Sequence, residues 1–186
     1  MANLDEKTIK AFCEHCDWAY QCWMFRRHLY DENPMEKLLK HPNHCYFFTR
    51  LEKILQEYWL LEVVKLHDPA RQFGSENLTV EYVLETGKWP QSLKIELNKL
   101  KIELDTFAGS LRSARNKLLS HKDKKAILSG KALGEFKQGE DESYFNALMQ
   151  FASLAHNHIT GIPYLFDDFT ESDVSVFMET FSKGLA

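Results

Sequence analysis

The residues best suited to chemistry lie in one stretch, Arg112-Ser113-Ala114-Arg115-Asn116-Lys117-Leu118-Leu119-Ser120-His121-Lys122-Asp123. An imidazole titrates near pH ~6.5, which makes His121 the natural proton-transfer group at neutral pH. The Arg115 guanidinium offers a fixed fork of donors that matches phosphate oxygens. Asn116 adds a neutral amide that can hold a phosphate or a partner side chain. From Arg112 to Lys131 there are seven basic residues, Arg112, Arg115, Lys117, Lys122, Lys124, Lys125 and Lys131, against the single acid Asp123. That window carries +6; the whole chain carries −4, so the remainder carries −10. A local excess of this size attracts polyanions even on an acidic protein. The competing reading is a solvated helix end, where cations favour the C-terminal dipole, with His121 as a capping residue. On an ideal helix Arg115 and His121 stand about 240° apart. They meet at one substrate if the helix deforms near Ser120 or if a second copy of the chain completes the site.

The segment must be delivered by a helix. Leu93, Leu97, Leu100, Leu104, Phe107, Leu111, Ala114 and Leu118 recur in alternating steps of four and three, the spacing of a packed helical seam. One further step of three reaches His121. Pro90 opens this helix, which over 90–121 would measure about 48 Å at ~1.5 Å per residue, with Gly109-Ser110 as the expected kink. Upstream, a helix is expected over 4–31, with Ile9, Phe12, Cys16, Ala19, Trp23 and Tyr30 facing the core and Asn33-Pro34 ending it. A short turn follows over 34–40. A second long helix is expected over 43–67, with Phe47, Leu51, Ile54, Tyr58, Leu61, Val64 and Leu66 as its core face and Asp68-Pro69 as its stop. Ala70 to Asn77 reads as a loop, with Asp68 shaping it, and Leu78 to Thr86 as a short helix closed by Gly87. Downstream come a Gly-containing connection, a helix over 140–160 ended by Gly161 and Pro163, and a terminal helix over 172–183 capped by Ser172.

No strand pair and no internal repeat is read. The expected fold is therefore all-α, an antiparallel helical bundle of about five to six helices with one long central helix, forming a single domain over 1–186. The 186 residues are 44% hydrophobic and 27% charged, which is the globular range and excludes a disordered chain. No apolar run approaches the roughly 20 residues of a membrane span, and the opening Met-Ala-Asn-Leu-Asp-Glu-Lys is unlike a secretory n-region. A cytoplasmic protein with no membrane association is expected, its four cysteines reduced.

Arg115-Asn116-Lys-Leu-Leu-Ser-His121 resembles the Arg, polar, spacer, His signature of HEPN domains, which allows four to six intervening residues; here there are five. The longer form running to Asp123 resembles the abortive-infection AbiU-type branch. Trp59-Leu-Leu-Glu-Val-Val-Lys-Leu-His-Asp68-Pro69 followed by Asn77-Leu78-Thr79-Val80 adds context. The resemblance covers roughly residues 10–160. It implies a helical bundle, paired as a homodimer around the Arg–His helices, acting as a metal-independent ribonuclease. Carried over, Arg115 and His121 are catalytic and Asn116 assists, while Arg112, Lys117, Lys122, Lys124 and Lys125 are the expected RNA contacts. No cofactor or metal is expected. RNA, and a cognate antitoxin or other protein, are the expected partners in phage defence or a toxin system.

Two other readings stay open. A catalytically silent bundle of the same family would bind a protein or a nucleotide. A metal-binding bundle would draw on Cys13, His15, Cys16, Cys22, His28, His41, His44 and Cys45, although a closed zinc site needs four ligands and no second paired motif is present. Asp68 and Asp123 are given no catalytic role, and His156 and His158, two apart on a helix, point to different faces. Trp18, Trp23, Trp59 and Trp89 are expected in the core or an interface.

Overall fold

The computed structural model describes residues 4–32, 36–114, 136–167 and 169–184. Its elements are α1 (Glu6–Arg26), which runs into a π-helical turn (Arg27–Asp31), a single helical turn α2 (Glu36–Leu39), and α3 (Cys45–Lys65). A small hairpin, β1 (Arg71–Gln72) and β2 (Ser75–Glu76), precedes α4 (Val80–Thr86). Then come α5 (Gln91–Ala114), α6 (Glu140–Thr160) and α7 (Thr170–Gly184). The all-α reading holds, and no described helix is long and apolar enough to cross a membrane.

The chain divides into two compact units, Met1–Asp17 with Leu60–Phe166, and Trp18–Trp59 with Asp167–Ala186. In the first, α5 lies against α6. The α5 seam is buried as its spacing requires at Leu97, Leu100, Leu104, Phe107 and Leu111, and α6 answers with Tyr144, Phe145, Leu148, Phe151 and Ala155. The start of α1 closes this core: the Phe12 ring meets Phe151 edge-on at 6.0 Å, and the Cys13 thiol donates to the Ala152 carbonyl at 3.6 Å. Gly161 ends α6 in the left-handed conformation (φ 81°), its N–H returning to the Asn157 carbonyl. In the second unit Leu29, Leu39, Phe48, Val174 and Met178 form the buried cluster. There the Tyr30 hydroxyl donates to the Phe48 carbonyl at 2.9 Å.

Four local expectations need correction. The core face of α3 is corrected in part: Phe47 and Ile54 are 63% and 61% exposed and Tyr58 is exposed too, Val64 and Leu66 are buried as expected, and Phe48, Trp59 and Val63 are buried in addition. The helix is apolar almost all round, so its sequence contains no period that fixes the buried side. Trp18, expected in the core or an interface, is half-exposed and so not a core residue; its indole N–H donates to the Tyr58 hydroxyl at 3.2 Å. Ser172 lies inside α7, which starts at Thr170, so it does not cap it. Finally, the 70–77 loop contains a hairpin with Arg71 opposite Glu76 and Gln72 opposite Ser75. Two-residue strands are too short to show an alternation in sequence.

The hairpin turn is Phe73-Gly74, with φ of 50° and 83°. Both central residues at positive φ make this the I′ class, which favours Asn-Gly. Phe73 is 97% exposed, so its ring gains no burial to offset the left-handed backbone. Gly87 is a glycine for another reason: a Cβ there would lie 2.1 Å from the Trp89 ring, whose N–H donates to the Leu84 carbonyl at 3.1 Å. Phe73→Asn should raise unfolding stability by about 1 kcal/mol in urea titration, with unchanged helical content; a drop in stability would show that the exposed ring holds the turn.

Candidate functional site

The sequence-predicted site lies at and beyond the end of α5. Arg112 falls within α5. Arg115, Asn116, Lys117, His121, Lys122, Lys124 and Lys125 lie outside the described residues. The structure does describe the helix that delivers them and the groups that hold it.

Three elements converge on His67, just past the end of α3. Its Nδ1 is 2.9 Å from Asp105 Oδ1 on α5, and its Nε2 is 3.1 Å from the Tyr144 hydroxyl on α6. Facing a carboxylate, Nδ1 carries a proton and donates it; in the neutral ring Nε2 then accepts from the Tyr144 O–H. Lys101, one turn before Asp105, donates to its other oxygen. Burial tends to raise the Asp105 pKa, but hydrogen bonds from His67 and Lys101, with their charges, outweigh it and lower it from 3.8 to about 2. Burial first, then the negative fields of Cys16 and Asp105, pushes the Tyr144 hydroxyl well above its ordinary value, so it stays protonated.

The turn carrying His67 is fixed at its backbone. The Val80 N–H donates to the Leu66 carbonyl at 3.0 Å, and the Asn77 N–H to the Ala70 carbonyl at 2.8 Å. The Asn77 side chain donates to the Pro69 carbonyl at 2.8 Å, and the Ala70 N–H to Glu81 at 2.9 Å. Thr79 caps α4 by accepting from the Tyr82 N–H at 3.3 Å. This explains the Asp-Pro to Asn-Leu-Thr sequence: it is a braced connection.

Asp105, Lys101, Glu81 and Gly109 line a polar cavity of about 450 Å³ beside His67. The His67 side chain is only 2% exposed and the Asp105 side chain 42%. The imidazole is therefore oriented and nearly buried, with its residue among those lining that cavity, and bonds at both ring nitrogens let it order the helices. The sequence reading quoted His67 as context but gave neither it nor Asp105 and Tyr144 a role. The one available signal, a Lys101–Asp105 pair on the helix seam's flank, does not point to its histidine.

A second buried charge sits nearby in the same unit. Glu62, 4% exposed, meets His15 Nε2 at 3.2 Å and Lys65 Nζ at 2.6 Å. Cys13, Cys16 and Cys22 are buried and in no disulfide, and burial pushes the Cys13 thiol up to about 12. Among the described residues no three His, Cys, Asp or Glu side chains stand close enough to hold a metal ion. His156 and His158 are separately engaged, the first with the Ile162 carbonyl at 2.9 Å and the second with the Lys88 carbonyl at 3.2 Å.

A family model described as AbiU2 (HEPN_AbiU2) matches residues 1–179. No curated protein and no solved structure matches the chain.

Because the folded-state pKa of Asp105 is depressed, its ionised form favours folding above about pH 4, and that contribution is lost as pH falls toward about 2. The stability gap between the wild type and Asp105→Asn should therefore shrink steadily from pH 5 to pH ~2.5 in urea titrations. A gap independent of pH would mean that the ionised carboxylate is not what His67 and Lys101 hold.

Proposed function

This chain belongs to the AbiU2 family of HEPN-type proteins, and from that footing we propose that it binds RNA and cleaves it as a metal-independent endoribonuclease, in phage defence or a toxin–antitoxin setting. The observation that carries this reading is Arg115-Asn116 followed by His121 inside a window of charge +6, in a chain whose remainder is −10. A ribonuclease that uses no metal needs a proton-transfer group and a cationic donor for the phosphoryl oxygens, and this segment supplies both.

In the proposed reaction the 2′-oxygen of the substrate attacks the adjacent phosphorus. The P–O2′ bond forms as the P–O5′ bond breaks, leaving a 2′,3′-cyclic phosphate and a 5′-hydroxyl. One neutral His121 takes the 2′-hydroxyl proton, and one protonated His121, supplied by a second copy, gives a proton to the departing oxygen. Arg115 stabilises charge building on the phosphoryl oxygens, and Asn116 orients one of these groups. Arg112, Lys117, Lys122, Lys124 and Lys125 hold the flanking phosphates. A homodimer brings the two segments together, and a cognate antitoxin or other protein partner would act by covering them. The described helices support this reading in one respect: α5 is locked to α3 and α6 through Asp105 and His67, so it offers a fixed base for the segment.

Single-stranded RNA incubated with the full chain in EDTA should yield fragments with cyclic phosphate ends. His121→Ala should slow this by about 10²–10⁴-fold and Arg115→Ala by about 10²–10³-fold, with unchanged circular dichroism. Full activity in either folded variant sinks the residue assignment. Salt-sensitive RNA binding with no cleavage by the wild type selects the silent family member instead.

A further inference from the structure

A cavity of about 760 Å³ opens along the face of α5 next to the Asp105 side, between α5 and the start of α6. That volume is in the range of small-ligand pockets, roughly 300–1,000 Å³. Its floor is aromatic: Phe107 lies 4.9 Å from Tyr144 at 31° and 5.4 Å from Phe136 at 62°. Ile102, an exposed apolar side chain, forms a wall.

The rim has an unusual polarity. Three hydroxyls line it, and each gives its proton to its own helix: Thr106 to the Ile102 carbonyl at 2.7 Å, Ser110 to the Phe107 carbonyl at 2.7 Å, and Ser143 to the Gly139 carbonyl at 2.9 Å. Their remaining capacity is lone pairs only. Glu103 and Glu140 also line the cavity, and as carboxylates they accept and cannot donate; one Glu140 oxygen already accepts the Lys137 backbone N–H at 2.8 Å. The Tyr144 hydroxyl is engaged with His67. Among the described lining residues Lys137 is the one cationic side chain.

An apolar, aromatic slot whose hydroxyls and carboxylates accept, with Lys137 as the donor side chain among its described lining residues, favours a flat ring that carries N–H donors on its edge. Among nucleobases guanine fits best, since its N1–H and 2-amino group together match one carboxylate. Adenine offers a single amino group beside bare ring nitrogens, and uracil's lone N–H is flanked by two carbonyl oxygens that would face the rim's lone pairs. Unstacked bases read in this way are the usual targets in single-stranded RNA. In sequence, the lining residues Ser110 and Phe136 flank the segment that carries Arg115 and His121. Ser110 is four residues before Ala114, about 6 Å along the α5 axis, and Phe136 directly follows the 115–135 segment.

We propose that this cavity is a guanine subsite that seats one base of a single-stranded RNA, with Lys137 at the mouth for its phosphate. The RNA part of this inference rests on the function proposed above. The two can fail separately. Calorimetric titration of the full chain with GMP and with AMP should show GMP binding at least about tenfold tighter. The double variant Glu103→Gln/Glu140→Gln, at exposed positions, should lose that preference while keeping its circular dichroism and its weak AMP affinity. Equal affinities, absence of saturable GMP binding, or a preference retained in the double variant overturns the subsite. Oligouridine hexamers containing one G or one A form the second arm. Cuts confined to positions beside G support the subsite; cleavage indifferent to G overturns it and leaves the nuclease reading standing. The predicted GMP preference with no cleavage of any RNA keeps the guanine site and removes the nuclease reading.

Discussion

A neutral or charged imidazole cannot be buried cheaply unless both ring nitrogens find partners, and this constraint organises the unit built on α5 and α6. His67 satisfies it by reaching two helices at once, Asp105 on α5 and Tyr144 on α6. Neither helix can slide by a turn without stranding the ring. The apolar seam alone would allow such slippage, because Leu97, Leu100, Leu104 and Leu111 are similar in shape and repeat at regular spacing. The polar contact therefore sets the register, and the hydrophobic contact supplies the bulk of the stabilisation.

The same clamp separates structural from chemical polarity. The His67 side chain is nearly buried and bonded at both nitrogens, and its partner carboxylate is neutralised by Lys101. The Arg112–Lys131 window contains the concentrated positive charge, in a chain that is otherwise acidic. A polyanion approaching such a molecule is repelled by most of it and drawn to one stretch, so electrostatics orients the encounter before any contact forms. The hydroxyls beside Phe107 present lone pairs whose direction is set by their bonds to helix carbonyls, and the proposed base subsite would use them at short range.

The legibility of the sequence varied with how much periodicity each segment carried. On α5 apolar and charged residues alternate sharply, and from Leu97 to Leu111 every position that the four-three spacing names is buried, with Ala108 added beside them. On α3 Tyr46, Phe48, Ile54, Tyr58, Trp59, Leu60 and Val63 surround the helix, so no side is marked, and the expected face proved to be exposed at Phe47, Ile54 and Tyr58. The 66–79 connection was recognisable as a stop, but its bracing was not. Asn77 reaching Pro69, Glu81 reaching Ala70 and a hairpin turning at Phe73 are pairings that residue type does not announce. For the candidate site, the types and spacing of Arg115, Asn116 and His121 were legible, and they lie outside the described residues.

By itself, then, the sequence determined what is local or periodic: a helical fold, the long α5 seam, the stops at Gly87 and Gly161, a cationic window, and the family signature within it. These follow from backbone propensities, the 3.6-residue repeat and charge counting, all of which act within a few residues of the chain. Tertiary structure alone decided which side of α3 is buried, that His67 finds Asp105 and Tyr144 at separations of 38 and 77 residues, and that hydroxyls from two helices ring one aromatic slot. Those outcomes depend on which surfaces meet when the helices pack, and a contact between distant residues leaves no mark in the spacing of either one.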